Sequence, residues 1–242
     1  MGTGAVALFF VTACIMSAGC LGSTSPPAAP EATNAPPHGG RISLPAPVTA
    51  GTVPVEKALS YRRSVREYSE TPIDITDIAQ LLWAAQGVTD PVTGFRTAPS
   101  AGALYPLEVY VACGNVTGLP AGVYRYIPGP HALGQVGGRD VREELYRSAL
   151  QQQPVRGAPA VIVIAADYNR TTGKYGERGI RYVHMEAGHA SENVYLQAYA
   201  LGLGTVAIGA FDDDGIGQAL GLPQEQAPLY LMPVGKPLTG IS

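Results

Sequence analysis

Arg62-Arg63-Ser64-Val65-Arg66 places three guanidiniums and a hydroxyl within five positions. Such a segment can offer forked, charge-assisted hydrogen bonds to a phosphate. Its plain alternative is a solvated basic helix end, since arginine is mostly exposed. A second segment, Pro99-Ser100-Ala101-Gly102-Ala103-Leu104-Tyr105-Pro106, sets small residues between two prolines. That composition suits a rigid loop whose backbone approaches a flat ligand, or an ordinary tight connection. In a third, Leu201 to Asp212, a helix ends, a short strand follows, and Gly209 leaves backbone exposed at the strand's end. This is no dinucleotide fingerprint, because its Gly-x-Gly precedes a strand and opens no helix.

Other chemistries are less well supplied. His184-Met185-Glu186-Ala187-Gly188-His189 contains one Glu-x-x-His, whereas a di-iron bundle needs two and further carboxylates. The two histidines are five apart and do not share a helix face, so no metal is expected. Asp212-Asp213-Asp214 reads as a helix cap. No Gly-x-Ser-x-Gly elbow occurs, and Ser100 has no evident His and Asp partners. Cys113 lies in the apolar run Val109–Cys113 and reads as buried filler.

The elements that must position these segments alternate between helix and strand. Val55, Ala58 and Leu59 are apolar at helical spacing before the arginines. Asp74 or Thr76 can cap a helix running to about Gln86, with Ile75, Ile78, Leu81, Leu82 and Ala85 on one face and Gly87 at its end. Strands are predicted at Leu107–Cys113, Gly122–Ile127, Ala160–Ala166, Thr205–Ile208 and Leu229–Val234. Helices are predicted at Val141–Gln151, Tyr182–Leu201 and Gly215–Leu220. Without strict strand-helix-strand order the class is α+β rather than doubly wound.

The chain has 242 residues and a net charge of −3, so the basic footprint of a nucleic-acid binder is missing. Residues 1–21 include an uncharged, mainly small or apolar run from Gly4 to Leu21, ending in Ser17-Ala18-Gly19-Cys20. The run approaches the ~20 apolar residues of a membrane span. It is similar to the lipobox of an exported lipoprotein, with Ser17 in place of an aliphatic residue and no preceding Lys or Arg. Residues 22–53 are rich in Pro, Ser, Thr, Ala and Gly and are expected to form a disordered linker. A folded domain is expected over 54–242, outside the cytoplasmic membrane and tethered through lipidated Cys20 or an uncleaved helix; the alternative is a cytoplasmic protein.

Read in order, Arg62-Arg-Ser-Val-Arg-x-Tyr68, Leu81-Leu-Trp-Ala-Ala-Gln-Gly87, the Pro99–Tyr110 segment, Gly122-Val-Tyr-Arg-Tyr126, Glu186-Ala-Gly-His-Ala-Ser-Glu-Asn193 and Gly202-Leu-Gly-x-Val-x-Ile-Gly-Ala-Phe-Asp212 carry a resemblance. The chain resembles the flavin-dependent nitroreductase superfamily from about Val53 to Pro237, and within it the SagB-type dehydrogenases, which include azoline oxidases. The resemblance implies a mostly antiparallel sheet flanked by helices and a homodimer with flavin mononucleotide (FMN) at its interface. It also implies ping-pong hydride transfer with a small organic substrate. By motif position, Arg62 and Ser64 are implied phosphate ligands, with Arg63 in the same segment and Lys236 as a late basic residue nearby. Arg66 is implied at the pyrimidine edge of the ring. Pro99, Ser100, Ala101, Gly102 and Leu104 are implied along the ring, and Ile208 and Gly209 at its N5. Tyr105 is a candidate acid–base group. Ala103 stands where many nitroreductases have Asn, so the resemblance does not by itself imply nitroaromatic specificity. A non-catalytic flavin- or ligand-binding surface lipoprotein is the alternative.

Overall fold

The computed structural model describes residues 1–2 and 40–238. Apart from residues 1–2, the expected anchor segment, with Cys14 and Cys20, and the linker as far as residue 39 lie outside the described residues. The chain begins with β1 (Arg41–Ser43), α1 (Val55–Tyr61), β2 (Ile73–Asp74) and α2 (Ile75–Gln86). It continues through β3 (Val88–Asp90), β4 (Phe95–Arg96), β5 (Leu107–Cys113), β6 (Val116–Thr117), β7 (Gly122–Ile127) and β8 (Ala132–Gly137). Then follow α3 (Arg142–Ser148), α4 (Gln153–Gly157), β9 (Ala160–Asp167), α5 (Asn169–Tyr175), α6 (Arg178–Ala200), β10 (Gly204–Thr205), α7 (Asp213–Leu220) and β11 (Gln226–Gly235).

Seven strands form one sheet in the order β1-β8-β7-β5-β9-β11-β10, and every neighbouring pair is antiparallel. The architecture is α+β, as the mixed order of elements predicts. β9 shows how the core is divided. Ala160, Ile162, Ile164 and Ala166 join the cluster that holds Leu81 and Leu82 of α2 and Val183 and Val194 of α6. Val161, Val163 and Ala165 join the opposite cluster with Leu145 of α3, Val155 of α4 and Ile216 of α7. Alternate side chains point to opposite faces of a strand, so a sheet covered on both sides reads as one continuous apolar run.

α2 starts as its sequence requires. Asp74 Oδ1 accepts from Thr76 N at 2.9 Å, and Asp77 Oδ2 accepts from Asp74 N at 3.1 Å, closing a capping box. Asp212 likewise caps α7, accepting from Gly215 N at 3.1 Å.

Several expectations need correction. The disordered linker expected over 22–53 does not reach residue 53. Arg41–Ser43 pairs with the open edge of β8, Leu44 is buried, and Val48 exchanges hydrogen bonds with Gln80 at 2.8 and 3.0 Å. An edge strand can recruit a segment whose own sequence carries little strand signal. The helix expected over Val141–Gln151 ends at Ser148, because Leu150 and Gln151 adopt left-handed φ values of 54° and 57°. Of the strand expected at Thr205–Ile208, ladder pairing covers only Gly204–Thr205, with a separate bridge from Ile208 to Leu231. On α1 the apolar spacing does not mark a buried face: Ala58 is buried, but Val55 and Leu59 are 56% and 55% exposed.

Candidate functional site

The arginine segment sits where α1 stops. Arg62 N still bonds to Ala58 O at 2.9 Å, but φ −55° and ψ 140° at Arg62 turn the chain out of the helix into an extended run. That run lies beside the free edge of β10. Ser64 bridges Thr205, and Val65 N donates to Thr205 O at 2.9 Å. Gly204 makes the approach possible, because a Cβ there would come within 2.6 Å of Val65. Tyr68, three residues on, donates its hydroxyl to Val65 O (2.7 Å) and Pro233 O (3.0 Å), and burial raises its pKa.

Tyr195 of α6 joins this run to the segment after β10. Its hydroxyl lies 3.1 Å from Ser64 Oγ and accepts from Ala207 N at 2.7 Å. Arg62 lies over the same ring, 5.1 Å from its centroid, while its Nε donates to Glu192 Oε1 at 2.9 Å. The terminal nitrogens of Arg62 are not engaged by that bond. Arg63, Ser64 and Arg66 are exposed, as are Gly209 and Lys236. Ile208 is buried and exchanges hydrogen bonds with Leu231, which turns the next residue, Gly209, outward. Lys236 directly follows β11, two residues past Val234, the partner of Thr205. It borders a cavity of about 440 Å³ shared with Lys57 and Tyr199. Cations and a hydroxyl thus stand at one end of an edge whose other end is Gly209. The four residue steps from Thr205 to Gly209 span at most about 13 Å, which suits an elongated ligand with an anionic tail and a flat head.

The proline-flanked loop is elsewhere. Asn193 Nδ2 donates to Thr97 O at 3.3 Å, and Ser100 faces Glu186. Glu186 and Asn193, seven residues apart, share one side of α6. Glu192 and Tyr195, which hold the arginine segment, lie about 120–180° round the helix at 3.6 residues per turn. Within one chain, Pro99 to Leu104 and the arginines therefore grip different sides of α6.

The loop is tightly built. Ala103 and Tyr105 carry φ values of 53° and 46°, conformations that cost about 1–3 kcal/mol each outside glycine. Two contacts hold them: Ser100 Oγ accepts from Tyr105 N at 2.9 Å, and Arg170 donates to Tyr105 O at 3.1 Å. The Tyr105 side chain, an acid–base candidate in the sequence, is turned inward. It is buried, its ring lies 4.4 Å from the Arg96 guanidinium carbon, and its hydroxyl accepts from Arg96 N at 3.3 Å. Gly102, with φ 64°, leaves room for two side chains that sequence reasoning missed. A Cβ there would stand 2.7 Å from Tyr175 Oη and 2.9 Å from Lys174 Nζ. No spacing pattern pointed to this ammonium and phenol, whose place depends on α5 crossing the loop.

Glu186 was also missed. It is 3% exposed, and its Oε1 has no partner among the described residues. Burial lifts its pKa to about 7, against the opposing pull of the Ser100 hydroxyl and the Arg96 cation. Folding therefore favours the protonated acid. Its contribution to stability is complete below the ordinary value near 4.5 and is lost as pH rises through about 7, amounting to up to about 3 kcal/mol. Urea midpoints at about pH 5 and pH 8 should show this loss, and Glu186→Gln should flatten it. An equal pH dependence in the two proteins would mean the carboxyl is not held neutral by the fold. Cys113 is inert by comparison, its thiol pushed up to about 12 by burial.

Comparison with known proteins agrees with this architecture. Residues 59–236 match the model of the nitroreductase family. The nitroreductase-type protein MJ1384 of Methanocaldococcus jannaschii is 50% identical over 184 residues, covering 76% of this chain and 91% of that one. The microcin B17-processing protein McbC of Escherichia coli is 32% identical over 166 residues, 66% of this chain and 61% of its own length. A nitroreductase structure from Anabaena variabilis superposes with a TM-score of 0.72 at 33% identity, covering 81% of this chain. This chain spans 41% of that larger protein. The chain belongs to the nitroreductase family of oxidoreductases, with SagB-type processing proteins among its relatives.

Proposed function

We propose that this protein is a homodimeric, FMN-dependent oxidoreductase acting on small organic substrates. The observation that carries the reading is the joint of Ser64, Thr205 and Tyr195, which aligns the arginine segment and Gly209 along one open edge. The residues present fit FMN: cations and a hydroxyl for the phosphate, and an outward Gly209 backbone for the ring. Arg62, Arg63, Ser64 and Lys236 would hold the phosphate, and Arg66 the pyrimidine edge. Bound FMN would supply two-electron hydride chemistry. Arg66 would contribute a fixed positive charge where negative charge develops, and the loop from Pro99 to Leu104 would cover the ring and exclude water. Because that loop and the arginines hold different sides of α6, a second copy would complete each site. The resemblance to SagB-type dehydrogenases, with a microcin B17-processing protein among the relatives, supports peptide-borne azolines as one class of donor.

Purified protein should take up FMN at micromolar concentration and release it intact on denaturation. Stopped-flow reduction by nicotinamide nucleotides, then a screen of quinones, nitroaromatics and azolines, tests turnover. Uptake without reduction by any donor would assign a non-catalytic flavin-binding role. A colourless protein that takes up no flavin would remove the reading.

We further propose that the domain is tethered outside the cytoplasmic membrane. The support is the uncharged run from Gly4 to Leu21, its Ser-Ala-Gly-Cys end and the Pro/Ser/Thr-rich stretch behind it. Fractionation of the native host, with and without Cys20→Ser, tests it. Recovery of the full-length parent wholly in the cytosol would overturn the tether and leave the flavin reading intact.

A further inference from the structure

We propose that Glu186, acting through the Ser100 hydroxyl, takes up the second proton released when a two-electron organic donor is oxidised at the site, and later returns it to the acceptor. The inference rests on the flavin reading above. Ser100 opens the short turn Ala101–Ala103 inside the loop expected to lie along the ring. Its oxygen accepts from Tyr105 N at 2.9 Å, which leaves the hydroxyl hydrogen available to the carboxylate behind it. Glu186 lies beneath that loop, sealed from solvent, with Oε1 unpartnered among the described residues. A buried carboxylate oxygen without a donor is costly unless it is protonated for part of its working life.

The two arginines beside it are already engaged by other groups. Arg170 pairs with Glu108 at 2.5 Å and with Asp167 at 3.5 Å. Arg96 faces Glu186 from β4, but its Nη1 donates to Gln86 Oε1 at 2.9 Å and its guanidinium is spread over the Tyr105 ring. Arg96 and Arg170 offset Glu108 and Asp167, and Lys174 stands at Gly102 of the same loop, so neither arginine is left over to pair with ionised Glu186. The raised pKa agrees with a group that changes state near neutrality.

The step balances as follows. The donor loses two electrons and two protons. Bound flavin would accept both electrons and one proton as hydride. The other proton goes to Ser100 Oγ, which passes its own hydrogen to the Glu186 carboxylate and remains a hydroxyl. With the acceptor, bound flavin would return the hydride, and Glu186 would return the proton by the same route. Glu186 is thus a proton-positioning residue.

The test is the flavin midpoint potential of the holoenzyme against pH. For a two-electron couple each proton taken up tilts the potential by about 30 mV per tenfold change in proton concentration. Between about pH 7.5 and 8.5 the parent should show two protons, about 60 mV per pH unit, and Glu186→Gln one proton, about 30 mV. Reduced-minus-oxidised infrared spectra of the parent carrying carbon-13 glutamate provide a second readout that needs no variant. Reduction should produce a protonated-carboxyl band that shifts with the label. Equal slopes in parent and variant, or no such band, would overturn the inference while leaving flavin binding in place. Failure to bind flavin at all would take both readings down.

Discussion

Replacing Arg62 with alanine should weaken FMN binding by about 1.5–3 kcal/mol, roughly 10- to 150-fold in Kd. The size follows from how the side chain is held. Glu192 fixes Nε at 2.9 Å and the Tyr195 ring lies 5.1 Å below the guanidinium. The fork is therefore oriented before the ligand arrives, and little side-chain entropy remains to be lost on binding. Arg62→Lys should recover only part of the loss, since an ammonium keeps the charge but cannot bond to Glu192 and a phosphate in the same planar geometry. Arg66→Ala should act differently. A cation at the pyrimidine edge favours the more negative redox state, so its removal should lower the midpoint potential and slow reduction. Fluorescence titration separates binding from potentiometry. An unchanged potential in Arg66→Ala would show that its charge lies away from the ring, and an unchanged Kd in Arg62→Ala would move the phosphate to other residues.

A charge on the outer stripe of α6 should dissociate the protein and remove its flavin together. Met185, His189, Glu192 and Leu196 fall in one line on the side of α6 turned away from the sheet, and Met185 is 52% exposed. Beside it, α1 exposes Val55 and Leu59, and Tyr61 stacks on Tyr199 with centroids 6.3 Å apart. If this is the seam between two copies, Met185→Glu and Leu59→Glu each bury a carboxylate in an apolar contact, at about 2–4 kcal/mol. That is roughly 30- to 1,000-fold in the dimer dissociation constant. Sedimentation velocity should show monomer at concentrations where the parent is dimeric. Flavin affinity should fall in parallel, because the loop and the arginines would no longer meet. A double variant that stayed dimeric and yellow would place the interface on another face.

The strongly periodic elements were legible in the sequence. α2 has one apolar face, a capping aspartate and a glycine end, and it forms where those signals put it. β5 and β9 have apolar runs long enough for strands buried on both faces, and they pair at the centre of the sheet. The long helix was found as well, though α6 begins at Arg178, one turn before Tyr182. Elements defined by a partner rather than by their own pattern were missed. β1 is three residues whose only reason to be a strand is the open edge of β8.

The same division holds for the candidate site. Local sequence determined the cationic composition of Arg62 to Arg66 and the small-residue loop from Pro99, because residue type and near spacing suffice for both. Tertiary structure decided what those segments touch. It stitched Ser64 to Thr205 and Tyr195, turned the Tyr105 ring inward under Arg96, and set Lys174 and Tyr175 against Gly102. It also separated the two segments on different sides of α6. Glu186 shows the physical reason most clearly. In sequence it is one carboxylate in a Glu-x-x-His, a pattern weighed for metal binding. Its raised pKa comes from lost solvent, opposed by Ser100 and Arg96 about ninety residues away along the chain, and no local pattern records the burial and field that distant residues create.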